Sequence, residues 1–122
     1  MKLPHSVLDL ALTQAQKSPM HYKHGAVVWK GKRILGSGYN WPVAPPCTDK
    51  RRFSIHSERD ALKGLRGDQI RGASILSIRA RNDGSINWGA PCKGCEKLLR
   101  RKGIRNVYWF DEAGALVCTR LN

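Results

Sequence analysis

Between residues 6 and 17, apolar side chains recur at Val7, Leu8, Ala11, Leu12 and Ala15, the three-and-four spacing of an amphipathic helix. Asp9 in its early turns and Lys17 near its end suit the helix dipole, and Ser18-Pro19 stops it. The period then changes. Residues 24–29 and 33–38 are short runs on either side of Lys30-Gly31-Lys32, which predicts a β-hairpin. Residues 39–54 contain three prolines and the Lys50-Arg51-Arg52 cluster without any sustained period, which predicts a long loop, a kind of segment that commonly carries function. Helical character resumes from His56 to about residue 65, with Ala61, Leu62 and Leu65 on one side. Residues 73–80 alternate, with Ile75, Ser77 and Arg79 outside and Ser74, Leu76, Ile78 and Ala80 in the other register, which predicts a strand. A turn is expected over residues 82–85, and a helix over 92–102 with thiols at its start and Gly103 as its stop. Residues 106–110 and 115–119 predict two final strands. Their link, Asp111-Glu112-Ala113-Gly114, is too short for a helical crossover, so this pair should be an antiparallel hairpin.

The predicted order is α-β-β-α-β-α-β-β, an α/β chain. With 122 residues, 41% of them hydrophobic, it is long enough for one domain over 1–122 with a real core. No apolar run approaches the roughly 18 residues of a membrane span. The opening Met1-Lys2-Leu3-Pro4-His5 lacks the apolar stretch of a secretory signal, so a cytoplasmic setting and no membrane association are expected. There the four cysteines should be reduced, buried or metal-bound rather than disulfide-linked. Charge changes the picture most. Twenty-two Lys and Arg against nine Asp and Glu give +13, an excess that attracts polyanions within about a Debye length, roughly 8 Å at physiological salt. Nucleic acid is the natural partner and a phosphorylated nucleotide its smaller version, set against a surface merely tuned for solubility.

Candidate chemistry lies in His56-Ser57-Glu58 and, downstream, Pro91-Cys92-Lys93-Gly94-Cys95. Together they offer one imidazole and two thiols as zinc ligands, and a carboxylate two residues from the imidazole that is free to move protons. Three protein ligands leave zinc a fourth position for water, which marks a catalytic rather than a structural site. Helix N-termini at His56 and Cys92 would favour thiolate ligation, and Pro91 suits a helix entry. A Cys-x-x-Cys pair alone also fits a redox pair or half of a zinc ribbon. The ribbon needs a second Cys or His pair, whereas Cys47 and Cys118 stand singly, and the redox pair gives His56 and Glu58 no role.

The H-x-E and P-C-x-x-C motifs are those of zinc-dependent nucleobase deaminases. On them the chain resembles the cytidine and deoxycytidylate deaminase superfamily over nearly its whole length. The resemblance implies a three-layer α-β-α cytidine-deaminase-like fold with a mixed five-stranded sheet. The antiparallel final hairpin is similar to the free-cytidine branch, while the His-x-Glu spelling is similar to the deoxycytidylate, tRNA-adenosine and polynucleotide-cytosine branches. By resemblance His56, Cys92 and Cys95 hold Zn2+, and Glu58 moves protons from the attacking water to the ring nitrogen and departing ammonia. Asn40 matches an asparagine that hydrogen-bonds sugar or base, and the main chain near Ala26, Ser57 and Ala90 should frame the base. His24 either stacks on the base or simply starts the first strand. Trp88 stands one position out of step with the aromatic before Pro-Cys in the polynucleotide branch, and is a pocket wall or core.

Within this class the leading expectation is conversion of cytosine to uracil in single-stranded nucleic acid. It rests on the charge and on Lys50, Arg51 and Arg52 beside Tyr39 and Trp41, which combine cationic and aromatic groups as strand binders do. A free-nucleotide deaminase of deoxycytidylate or cytidylate type is the alternative. Adenosine deamination in RNA, a non-catalytic zinc module that binds nucleic acid, and a thiol oxidoreductase follow. Assembly into a homo-oligomer is left open.

Overall fold

The computed structural model describes residues 3–19, 23–42, 54–55, 57–81, 83, 85–87 and 93–121. Helix α1 spans His5–Lys17 and buries Val7, Ala11 and Ala15, a spacing of four that keeps them on one face. It lies tightly on strand β1, Lys23–Lys30: a Cβ on Gly25 would come within 2.8 Å of the Ala15 amide nitrogen. Strand β2, Arg33–Tyr39, returns antiparallel to β1, with Gly31 at φ 61 turning the chain between them. Val28 pairs with Gly36 and Trp29 with Ile34, so Leu35 is the extra residue of a β-bulge.

The segment read from sequence as an unbroken loop is structured at both ends. Strand β3, Trp41–Pro42, pairs antiparallel with β4, Ser54–Ile55. Two-residue strands carry no visible period, and only their pairing creates them. Helix α2, Ser57–Leu62, is shorter than the sequence implied. Gly64 takes φ 80 after it, and a separate short helix α3 forms over Gly67–Ile70.

Strand β5, Ser74–Ala80, is the centre of the sheet, whose order is β2-β1-β5-β7-β8. Here the sequence reading needs correction, because Ile75 and Ser77 are not outside: both are fully buried, as are Leu76 and Ile78 on the other face. A strand covered by helices on both faces has no wet side, so alternation within it does not report exposure. Strand β6, Ile86–Asn87, was not foreseen and pairs antiparallel with the far end of β5. It follows Asp83, whose carboxyl is held below its usual range mainly by the Ser85 hydroxyl and also by the Ser85 main-chain N–H.

Helix α4, Lys93–Lys102, carries Cys95 and Leu99 on its buried face. Its end is a Schellman motif: Gly103 at φ 86 donates to the Arg100 carbonyl at 3.1 Å, and Ile104 to that of Leu99 at 3.0 Å. Strand β7, Asn106–Phe110, runs parallel to β5, and β8, Leu116–Arg120, antiparallel to β7. The Asp111 side chain accepts from the Ala113 and Ala115 amides, each at 2.9 Å, closing the short final hairpin as expected.

Two apolar layers cover the sheet. Val7, Ala11 and Ala15 of α1 pack with Val27, Leu76, Ile78 and Tyr108 on one face. Ala61 and Leu62 of α2, Ile70 of α3 and Leu99 of α4 pack with Ala26, Ile75 and Val107 on the other. This is the expected three-layer α-β-α arrangement with a mixed sheet and antiparallel final hairpin, with β6 added at its centre. No helix among the described residues is long and apolar enough to cross a membrane.

Candidate active site

Residue alternation decides which side chains can meet. The β1–β5 register sets Ala26 opposite Ser77 and His24 opposite Arg79. Ala26 belongs to the layer with Ala61 and Leu62, so it and Ser77 face α2. Above Ser77 stands Glu58, in the first turn of α2 and 4% exposed. The Ser77 hydroxyl donates a short hydrogen bond to Glu58 Oε1. A carboxylate taken out of water needs such donors, because an unpaired one would cost several kcal/mol.

The backbone of β2 lets α2 come this close. A Cβ on Gly38 would lie 2.6 Å from both the Ala61 amide nitrogen and the Asp60 side chain. Asp60 then fixes the helix to the strand end, accepting the Tyr39 amide at 3.0 Å and the Trp41 indole N–H at 3.2 Å. Trp41 and Tyr39 are half-buried, and the indole N–H is engaged with Asp60. The Trp41 side chain is thereby tied to α2, whereas Tyr39 is held through its main chain.

Asn40 is also buried, 6% exposed, where the end of α1 meets β1 and β2. Its Oδ1 accepts the His24 main-chain N–H at 2.8 Å, its own main-chain N–H donates to the His24 carbonyl at 3.3 Å, and its main-chain carbonyl accepts the Ser18 hydroxyl at 2.8 Å. Asn40 thus ties the end of β2 to the start of β1 and the end of α1. His24 is half-buried on the same face as Ala26, two residues nearer the start of β1.

The fit of a metal rests on fewer groups. Cys95 is 2% exposed on the first turn of α4 and forms no disulfide among the described residues. Ser57, 1% exposed and adjoining His56 in sequence, has a hydroxyl without a partner among the described residues. His56 and Cys92, the other two expected ligands, lie outside the described residues, as do Trp88, Ala90, Lys50, Arg51 and Arg52. Among the described residues alone no group of three His, Cys, Asp or Glu could hold a metal. The donors present, a buried thiol at one helix start and a buried carboxylate at another, are compatible with zinc ligated by two cysteines and a histidine.

Sequence reasoning missed Ser77 and Asp60. The signal for Ser77 was a hydroxyl inside the run Ser-Ile-Leu-Ser-Ile, meaningful only for a strand buried on both faces. Asp60 shares a helix with Glu58, and the nearby indole needed an acceptor.

A sheet of this order between α1 and the α2–α4 layer is a cytidine-deaminase-like fold, and it sets a buried carboxylate at the start of α2 and a buried thiol at the start of α4. Comparison with known proteins agrees. The chain is 28% identical to the deoxycytidylate deaminase of Mycobacterium phage D29, covering 87% of this chain and 92% of that protein. Its fold is similar to that of cytidine deaminase from Burkholderia pseudomallei, with a TM-score of 0.71, 19% identity and coverage of 98% and 94%. It is also similar to dCMP deaminase of cyanophage S-TIM5, solved in complex with dCMP and dUMP, with a TM-score of 0.57, 21% identity and coverage of 90% and 85%. No family model matches the chain. The likeness to the cytidine and deoxycytidylate deaminase superfamily therefore holds in sequence and in fold.

Proposed function

We propose that this chain is a zinc-dependent hydrolytic deaminase that converts a free cytosine nucleotide, of deoxycytidylate or cytidylate type, to the uracil nucleotide and ammonia. The observation that carries the reaction is Glu58, a buried carboxylate at the start of α2 held by the Ser77 hydroxyl. His56, Cys92 and Cys95 would hold the metal. When bound, zinc supplies the Lewis acidity that makes water nucleophilic near neutral pH. Glu58 accepts a proton as water adds to the carbon bearing the exocyclic amine, and passes it to the ring nitrogen. A second proton reaches the departing amine by the same carboxylate, so water and cytosine become uracil and ammonia. Ser77 orients Glu58, and Ala26 lines the sheet floor beneath it.

The choice of a free nucleotide reverses the order expected from sequence. It is supported by likeness over most of both chains to a deoxycytidylate deaminase. Asn40, His24, Ser57 and the main chain at Ala90 are proposed to frame the nucleotide. Trp88 is proposed as a pocket wall, and Lys50, Arg51 and Arg52 as contacts to the phosphate.

The test is ammonia release by zinc-loaded protein from deoxycytidine, dCMP, CMP, dCTP and cytosine-containing single strands in parallel, with zinc content measured for the parent and Cys95→Ser. Release chiefly from a monophosphate, and zinc lost with Cys95, are expected. Turnover confined to strands would restore the polynucleotide reading, and undiminished zinc in the variant would remove Cys95 from the site.

A further inference from the structure

The excess positive charge has a place in the fold. Lys30 closes β1 and pairs with Arg33, which opens β2. In the next strands the chain enters β5 just after Arg71 and β7 just after Arg105, and β8 ends on Arg120, opposite Asn106. Main-chain bonds weld these ends into one rim: Gly72 donates to Gly103, Arg105 to Ala73 and Leu121 to Arg105, each at 2.8 Å. The Lys30 ammonium donates to the Arg71 carbonyl at 2.9 Å. Helix α4 ends on the same rim, adding Arg101 and Lys102. All seven of these cationic residues are exposed.

Such a row is costly to the fold. Directly paired like charges on neighbouring strands repel, and a helix end needs only a cation or two to complement its dipole. The described ion pairs of this region take Arg66 with Asp68 and Arg100 with Glu96, and none of them includes Lys30, Arg33, Arg71, Arg101, Lys102 or Arg105. The rim also lies at the opposite end of the sheet from the row formed by His24, Arg79 and Asn87. It is therefore separate from the sheet end that carries His24 and Asn40.

We propose that this rim is a docking surface for the phosphate backbone of double-stranded nucleic acid, bound without regard to sequence. Five strand ends spaced by about 4.8 Å make an edge of roughly 19 Å. That length faces about six base pairs of duplex, whose phosphates present one charge per roughly 1.7 Å. A single strand is a poorer match, because strand binders add aromatic platforms to their cations. The described aromatic side chains are buried or half-buried, and none lies on this rim exposed. A lipid surface is a poorer match too, since Ile34, 38% exposed, is the one large apolar side chain exposed among the described residues. The inference is independent of the proposed reaction.

The experiment compares two double variants that remove equal charge. Lys102→Gln with Arg105→Gln alters the rim, while Lys17→Gln with Arg81→Gln alters exposed cations at the other end of the sheet. Affinity for a labelled mixed-sequence duplex is measured across a salt series by fluorescence anisotropy, beside the matching single strand, phosphatidylserine vesicles and polyglutamate. Circular dichroism and thermal melting establish that both variants fold. Each phosphate contact contributes about −0.9 to the log–log salt slope on duplex. The rim variant is expected to flatten that slope by roughly two units while the control retains the parent's. Equal losses in the two variants would overturn the proposal, leaving only diffuse charge. So would absence of duplex binding at low salt, or preference for the strand, the vesicles or the acidic polymer.

Discussion

On the α1 side of β5, Leu76, Ile78 and Ala80 enter a layer of hydrophobic side chains that includes Tyr108. On the α2 side, Ile75 is followed by Ser77, a hydroxyl fully buried that reaches Glu58. The two faces belong to one strand and are equally dry, yet they are built on different terms. The α1 face is held mainly by shape and area, with Gly25 letting the helix settle on β1 and with the Gln14–Ser37 and Ser18–Asn40 hydrogen bonds beside it. The α2 face gives part of its apolar contact to a paired carboxylate and hydroxyl, which contribute less to stability than packed methyl groups of the same volume. The difference separates the packing that holds the protein together from the groups to which the proposed reaction is assigned. Apart from Ser18 and Asn40 where the end of α1 meets the sheet, the buried polar groups among the described residues, Ser57, Glu58 and Ser77, gather where the start of α2 meets β5.

The largest effect should come from Glu58→Gln, which keeps the side chain's shape and an oxygen for the Ser77 hydroxyl but cannot take up a proton. Turnover of the nucleotide should fall about 100- to 10,000-fold, with melting temperature nearly unchanged. Ammonia release and circular dichroism measure the two quantities. A variant that keeps most of its rate would break the contrast between the faces.

Leu76→Ala attacks the other face. Removing a fully buried leucine side chain should cost about 2–5 kcal/mol in denaturant unfolding. The rate per folded molecule should stay at the parent value, because Leu76 faces α1. A matching loss of kcat in folded protein would show that the faces are not separate.

Ser77→Ala sharpens the comparison with a smaller change. It leaves a buried carboxylate oxygen without its hydroxyl donor, a cost of about 1–3 kcal/mol. As a positioning residue Ser77 should affect kcat with little change in KM, whereas a purely structural residue would leave kcat per folded molecule intact. Steady-state kinetics on folded protein distinguishes these outcomes, and Ser77→Thr should restore much of the loss by returning the hydroxyl.

Short-range patterns were legible and mostly correct. Helix α1, the first hairpin, β5, α4 with its Gly103 stop and the antiparallel last hairpin all follow from periods and turns within a few residues. The motifs behind the proposed chemistry are equally local, since a histidine and a glutamate two apart, or two thiols three apart, point to a metal and a proton carrier by residue type. Strands β3, β4 and β6 were not legible, because a two-residue strand exists only through its partner. The sequence by itself determined the elements and the chemical groups, through contacts within a turn or a hairpin. Only the tertiary structure decided that β5 is dry on both faces and that Ser77, 19 residues from Glu58, is its hydrogen-bond partner. It also decided that the cations of four separate segments line one rim of the sheet. Those outcomes depend on strand order and helix placement, which emerge when distant segments bury surface against one another and which no local period encodes.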